Sequence, residues 1–330
     1  MIEVPRKLVE GYFVRTVDDL IFEVKGVVHP SDRVIAYVRY VPDFDSSSKQ
    51  HYRKIYDLQE REKYLKENFP GYLWFSTAHQ RILQAVPYSQ IKQVLDPVAY
   101  MKQIRRNKSR LSEATVNLVD LLLEYTGVDS RSIGVTGSQL VGVSTKTSDI
   151  DLVVFGERAG INFYNRLGTI YDKIPGIEQY NGNLLTDHVT FRWKDLVDHH
   201  EILREIERRK VLQGIFGGYQ FFIRLVRLPQ DVEEVYGQIV IKDSKSVNTT
   251  CKIIDDSNSI FTPCVYPVES IEYPLLRQLV SYRGRFTEQG SSDSTVMVRG
   301  KLEDVIDRET NENYQQLVLG ESSLDYMIPV

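Results

Sequence analysis

The chain has 330 residues, of which 42% are hydrophobic and 26% charged, an ordinary globular composition with length for two or three cores of roughly 100–200 residues each. Its 41 Lys and Arg stand against 45 Asp and Glu, a net charge of −4, which excludes a generally cationic surface and confines any nucleic-acid site to a local patch. Cys251 and Cys264 are the only cysteines, too few for a disulfide framework or a zinc cluster, and read as buried thiols. The opening MIEVPRKLVEGYF has no apolar signal region, and no apolar run approaches the ~18 residues of a spanning helix, so a soluble, cytoplasmic protein with no membrane partner is expected.

In chain order, the first sixty residues read as a β-meander. Strands are predicted at 12–14, 20–24 and 34–41, ending in the polar run from Asp43 to Gln50. An amphipathic helix follows over 53–67, closed by Pro70-Gly71, and a second helical stretch over about 88–106, interrupted at Pro97. Residues 112–126 carry the clearest helical stripe (Val116, Val119, Leu122, Leu123), with Gly127 suited to the C-terminal cap. A short strand at 133–135, a Gly/Ser loop and an apolar run from Ile150 to Phe155 come next, then helices at about 160–173 and 195–209. Gly217-Gly218 between apolar runs predicts a β-hairpin over 210–228. Pro229 and the acidic residues after it mark a boundary. Beyond it, about 237–319 reads as strands with one helical piece near 273–282.

The chemistry-bearing segment is Gly137-Ser138, ten residues, then Asp149-Ile150-Asp151-Leu152. Aspartates at i and i+2 of a strand share a face. An isolated Asp-x-Asp is usually a turn cap on a solvated strand. Here the neighbours Ile150, Leu152, Val153 and Val154 imply a buried strand, where two like charges are costly without a cation between them. Mg²⁺ or Mn²⁺ would take both carboxylates together with phosphate oxygens of a substrate. Gly137-Ser138 can either grip a phosphate or simply cap the following helix.

Residues 133–155, IGVTGSQLVGVSTKTSDIDLVVF, resemble the signature of the DNA polymerase beta-like nucleotidyltransferase superfamily. That signature is a Gly-Ser or Gly-Gly pair, roughly nine to thirteen residues, then Asp-hydrophobic-Asp/Glu-hydrophobic. The wider chain also resembles archaeal predicted nucleotidyltransferases with flanking domains. The resemblance implies an α/β (α+β) protein: a β-rich N-terminal region with helices over 1–110, a mixed-sheet nucleotidyltransferase core over 111–229 and a small C-terminal β-barrel-like module over 230–330. It also implies a metal-dependent enzyme that transfers a nucleoside monophosphate from a nucleoside triphosphate to an acceptor hydroxyl. Asp149 and Asp151 would be the catalytic metal ligands, and Gly137 and Ser138 would hold the phosphates. An RNA end, a protein side chain and a small metabolite remain open as acceptors, and the oligomeric state is not specified.

The superfamily pattern further requires a third carboxylate on a later strand. The strand in that place, Phe221 to Val226, has Arg224 at its polar centre. Arg224 is expected on the face of Asp149 and Asp151, paired with them or binding triphosphate. Asp187, Glu207, Asp231 and Asp243 are nearby acids, none in an apolar-acid-apolar strand. This departure keeps open a degenerate protein that binds nucleotide or RNA without turnover, and a scaffold with a structural metal. Arg208-Arg209-Lys210 with Arg224 and Arg227 forms a candidate basic cluster, and Tyr282, Arg283 and Arg285 a candidate base-stacking group. The basic run 101–110 reads as a solvated helix, and His199-His200 as side chains that diverge.

Overall fold

The computed structural model describes residues 8–43 and 52–330. The end of the polar run at 44–50 and the first seven residues lie outside the described residues. The protein is mixed α and β, built on three sheets. The N-terminal part contains β1 (Phe13–Thr16), β2 (Ile21–Val24), β3 (Arg33–Pro42), β4 (Tyr52–Lys54), α1 (Leu58–Asn68), β5 (Leu73–Ser76), β6 (Arg81–Pro87), β7 (Ile91–Leu95) and α2 (Pro97–Ile104). Its sheet runs β5-β6-β3-β2-β1-β7, with β4 beside β3. Asp57 caps α1 by accepting from the amides of Gln59 and Glu60.

Two expectations shift here. The helix expected from 53 starts at 58, because 52–54 pairs with β3 as an edge strand. The stretch expected to be helical over 88–106 is a tight turn, then β7, then α2. Pro97 starts α2 instead of interrupting it: with no N–H to bond and its φ already fixed, proline suits a first helical turn, and Asp96 caps the two amides after it.

The central part contains α3 (Arg110–Thr126), β8 (Ile133–Val135), α4 (Gly137–Val141), β9 (Ile150–Phe155), α5 (Glu157–Ile170), β10 (Ile177–Glu178), α6 (Gly182–Arg192), α7 (His200–Arg209), β11 (Gln213–Phe216) and β12 (Tyr219–Val226). The sheet order is β10-β11-β12-β9-β8, with β12 parallel to β9 and the other pairs antiparallel. Gly127 ends α3 in the left-handed conformation, as its position predicts. Gly217 and Gly218 turn the β11–β12 hairpin with φ of +57° and +83°. Ile150, Leu152 and Val154 of β9 pack with Ile223 and Leu225 of β12 against α3 and α5. The opposite face, with Val153, Phe155 and Val226, packs on Val9 from the N-terminal part.

The C-terminal part contains β13 (Ile239–Ile253), β14 (Cys264–Glu269), β15 (Leu276–Ser281), β16 (Thr295–Asp307), β17 (Asn313–Leu319) and β18 (Tyr326–Pro329). β13 pairs with both β14 and β16, so the pairings close into a circuit β13-β14-β15-β17-β16, with β18 added to β16. The helical piece expected near 273–282 is instead β15. Leu-Arg-Gln-Leu is compatible with a helix locally, but hydrogen bonding to β14 and β17 on both sides decides the outcome. Cys251 and Cys264 are buried free thiols. Leu185 of α6, Trp193 just after it, and Leu203 and Ile206 of α7 pack onto this sheet. No helix among the described residues is long and apolar enough to cross a membrane.

Candidate functional site

Asp151 lies on the face of β9 that turns toward the N-terminal part, since it alternates with Ile150 and Leu152 of the inner core. Its backbone carbonyl accepts from Thr136, which ties β9 to the start of α4. Thr136 Oγ1 in turn donates to the Gly11 carbonyl at 2.6 Å, and Gly11 rests on Val153. Asp149 ends the loop just before β9 and is the more exposed of the pair.

Gly137 touches Asp151 directly. A Cβ on Gly137 would overlap Oδ2 and lie 2.7 Å from Cγ of Asp151, and its φ of +64° already favours glycine. The Gly-Ser pair and the Asp-x-Asp pair therefore converge on one spot. Ser138 is not the helix cap: Thr136 holds that position, and no side chain caps α4. At five residues, α4 is too short to focus much dipole. Ser138 can serve a phosphate only through its hydroxyl and the local amides.

The electrostatics fit a cation. Burial pushes the Asp151 carboxyl up to about 6, assisted by repulsion from Asp149 and Glu23 and opposed by Arg224 and Lys54. Burial also raises Asp149, opposed by Lys54 and His188. Two adjacent carboxylates that resist ionising together are hard oxygen donors suited to Mg²⁺ or Mn²⁺. They are only two, however. No group of three or more His, Cys, Asp and Glu side chains with metal-ligand placement occurs among the described residues.

Arg224 shares the face of Asp151: in the β9–β12 register it lies opposite Val153, two residues beyond Phe222, which lies opposite Asp151. The face is as expected, but the pairing is not. Its Nη1 lies 2.9 Å from Glu10 Oε1 and 2.9 Å from Glu23 Oε1, so its ion pairs run to the N-terminal part rather than to the aspartates. Lys25 Nζ joins the same two carboxylates at 2.8 and 3.1 Å. Burial works against the charge on Glu23, yet Lys25, Arg224 and Arg39 hold it well below the usual carboxylate range. Arg224 is accordingly held charged by Glu23 and Glu10 against its own burial.

Glu23, Lys54 and His188 are the neighbours that sequence reasoning missed. Glu23 carried a usable signal, because Phe22-Glu23-Val24 is an apolar-acid-apolar strand, but it lies upstream, and the acid was sought downstream. Of the acids considered there, Asp187 and Asp243 are exposed. Asp231 accepts from the amides of Glu157 and Leu228. Glu207 is buried among Lys210, Trp193 and His188.

The expected basic cluster is dispersed. Lys210 pairs with Glu207, Arg208 with Glu205, and Arg227 with Glu157, while Arg209 donates to the Gln289 carbonyl. Arg285 lies over the Trp193 and Phe286 rings and is tied to the Arg192 carbonyl, which removes it from any base-stacking surface. His200 bonds the Trp193 carbonyl and His199 packs on Tyr326, so the two histidines diverge.

The chain is 26% identical to an uncharacterized protein, MJ1086, of Methanocaldococcus jannaschii over 321 residues, covering 93% of this chain and 94% of the relative. No family model and no solved structure matches it.

Proposed function

We propose that the protein is a metal-dependent nucleotidyltransferase, moving a nucleoside monophosphate from a nucleoside triphosphate to an acceptor hydroxyl. The observation that carries this is the contact of Gly137 with the Asp151 carboxylate, which joins the Gly-Ser pair to the Asp-x-Asp pair at one point. Further support comes from the order α3-β8-α4-β9-α5 leading to β12 beside β9, a mixed sheet in which Asp149 immediately precedes β9 and Asp151 lies near its start, between β8 and β12. The C-terminal circuit of strands has the connectivity a small β-barrel requires, in keeping with a flanking module.

A bound Mg²⁺ would neutralise triphosphate charge and favour ionisation of the acceptor hydroxyl. Asp149 and Asp151 would hold it. Gly137 leaves room for the Asp151 carboxylate itself, and the Ser138 hydroxyl would donate to a non-bridging phosphate oxygen. Lys54, whose charge acts on both aspartates, would face the same phosphates.

One observation favours a second reading, a nucleotide-binding protein without turnover. A cation, Arg224, stands where the superfamily pattern has its third acid, and two carboxylates fix it there. Pyrophosphate release from each nucleoside triphosphate with Mg²⁺ or Mn²⁺, measured beside equilibrium binding, tests both. Metal-dependent release abolished by Asp151→Asn supports transfer. Metal-dependent binding without release supports the second reading, and absence of both overturns each.

A further inference from the structure

A cavity of about 600 Å³ lies away from Asp149 and Asp151, between the N-terminal sheet, the first turns of α1 and the strands β14 to β17. That volume suits a mononucleotide-sized ligand. Its charges are unevenly satisfied. Arg81 pairs with Glu303 and Glu321, Lys301 with Glu321, and Lys25 with Glu10 and Glu23. Arg61 and Arg283 also line it, and neither has a carboxylate within ion-pair distance among the described residues.

Arg61 is the telling residue. It is 1% exposed, and it donates to backbone carbonyls: Nε to Ile55 at 3.1 Å and Nη2 to Tyr56 at 3.3 Å. Glu23 and Asp57 act on it only at a distance, while burial, then Arg39 and Arg283, push its pKa down to about 10. Arg283 is anchored by Nε to the Gly320 carbonyl at 3.2 Å. Two guanidiniums that repel each other at one cavity, one of them almost fully buried, are costly unless an anion sits between them. These carbonyl bonds leave Nη1 of Arg61 and both terminal nitrogens of Arg283 for a phosphate. Of the cavity's other acids, Glu62 and Glu234 are exposed. Tyr37, which feels both arginines, and Tyr282 line the same cavity.

We propose that this cavity binds a small organic phosphate with a planar ring, its phosphate between Arg61 and Arg283 and its ring against Tyr37 and Tyr282. The site is separate from the aspartate pair and needs no metal.

Adenosine 5′-monophosphate in EDTA is the probe, followed by calorimetry and thermal melting of the full chain, with adenosine and inorganic phosphate as comparators. The wild type should bind the monophosphate and melt higher, adenosine should have no effect, and inorganic phosphate should bind more weakly. Arg283→Gln, at a half-buried position, should weaken binding about tenfold or more while keeping its unliganded melting temperature. Asp151→Asn should bind as the wild type does. No binding by the wild type in EDTA overturns the proposal. So does binding that Arg283→Gln leaves unchanged, or binding lost in Asp151→Asn alone, which would assign the phosphate to the aspartates. None of these outcomes bears on metal-dependent turnover, so the two readings fail separately.

Discussion

Glu23 and Arg224, 201 residues apart in the chain, meet at 2.9 Å on the face of the central sheet that carries Asp151. With Glu10 and Lys25 they form an alternating set of two acids and two bases, largely withdrawn from solvent. A buried cation among carboxylates contributes little net stability while intact, but its removal strands charge.

Arg224→Gln should therefore destabilise the fold by about 3–5 kcal/mol, because Lys25 alone would remain for Glu10 and Glu23. Arg224→Asp should be worse in EDTA and should regain melting temperature with Mn²⁺, since the new carboxylate joins Glu23 and Asp151. Denaturant unfolding with and without metal measures both. Equal stability of Arg224→Asp and Arg224→Gln in EDTA would contradict the arrangement.

Gly137→Ala should abolish Mg²⁺-dependent nucleotide binding, because its Cβ claims space held by the Asp151 carboxylate. The left-handed φ adds strain of about 1–3 kcal/mol. Calorimetry with a nonhydrolysable triphosphate reads the first effect and thermal melting the second. Wild-type affinity in the alanine variant would separate Gly137 from the nucleotide site.

Asp151 gives a pH signature. Its carboxyl, at about 6 when folded against 3.8 when free, binds its proton more tightly in the folded state. That preference is full below about pH 4 and is lost as pH rises through 6, so ionised Asp151 costs stability at neutral pH. The cost is at most about 3 kcal/mol, and less after solvent screening of a half-buried group. In EDTA, Asp151→Asn should melt above the wild type at pH 7.5, and the gap should narrow as pH falls through 6 and close below about pH 4. Metal binding should release protons near pH 6. A gap constant with pH would refute the assignment.

Glu207 and Lys210 should behave in the opposite sense. Their atoms lie 3.0 Å apart at 0% and 1% exposure, and Trp193 Nε1 and Gln213 Nε2 also donate to Glu207. Burial opposes ionisation of Glu207, but Lys210, Arg192 and His188 hold its carboxyl well below the ordinary value. Its contribution is present above the unfolded pKa and lost on acidification. Lys210→Met should cost about 3–5 kcal/mol at pH 7, and Lys210→Met with Glu207→Gln less than the single change. A double variant weaker than the single one in urea unfolding would contradict this.

Much of the central sheet was legible because local chemistry and final structure agree there. Gly217-Gly218 turns where positive φ is needed, Gly127 caps α3, and the alternation of β9 and β12 puts Asp151 and Arg224 on one face. Where tertiary pairing decides, the residues are silent. Leu276–Ser281 has helical composition and becomes β15 between two partners. α6 begins at Gly182-Asn183 without a side-chain cap and is held by Leu185 and Val189 on the C-terminal sheet. The partners of Arg224 were illegible for the same reason: alternation fixes its face, but only the docked N-terminal part supplies Glu10 and Glu23.

That pairing has a consequence for biosynthesis. The N-terminal strands leave the ribosome first, and Glu23 precedes its counter-ion by 201 residues. At about 5–20 residues per second, the delay is roughly 10–40 s. Through that interval Lys25 is the one base that ion-pairs with these two acids, helped only at longer range by Arg39, so burying β2 before β12 exists would leave their charge under-compensated. The first-made sheet is thus kept from sealing around Glu23 until the nascent chain has delivered Arg224, and final consolidation of the amino-terminal third waits for translation of β12.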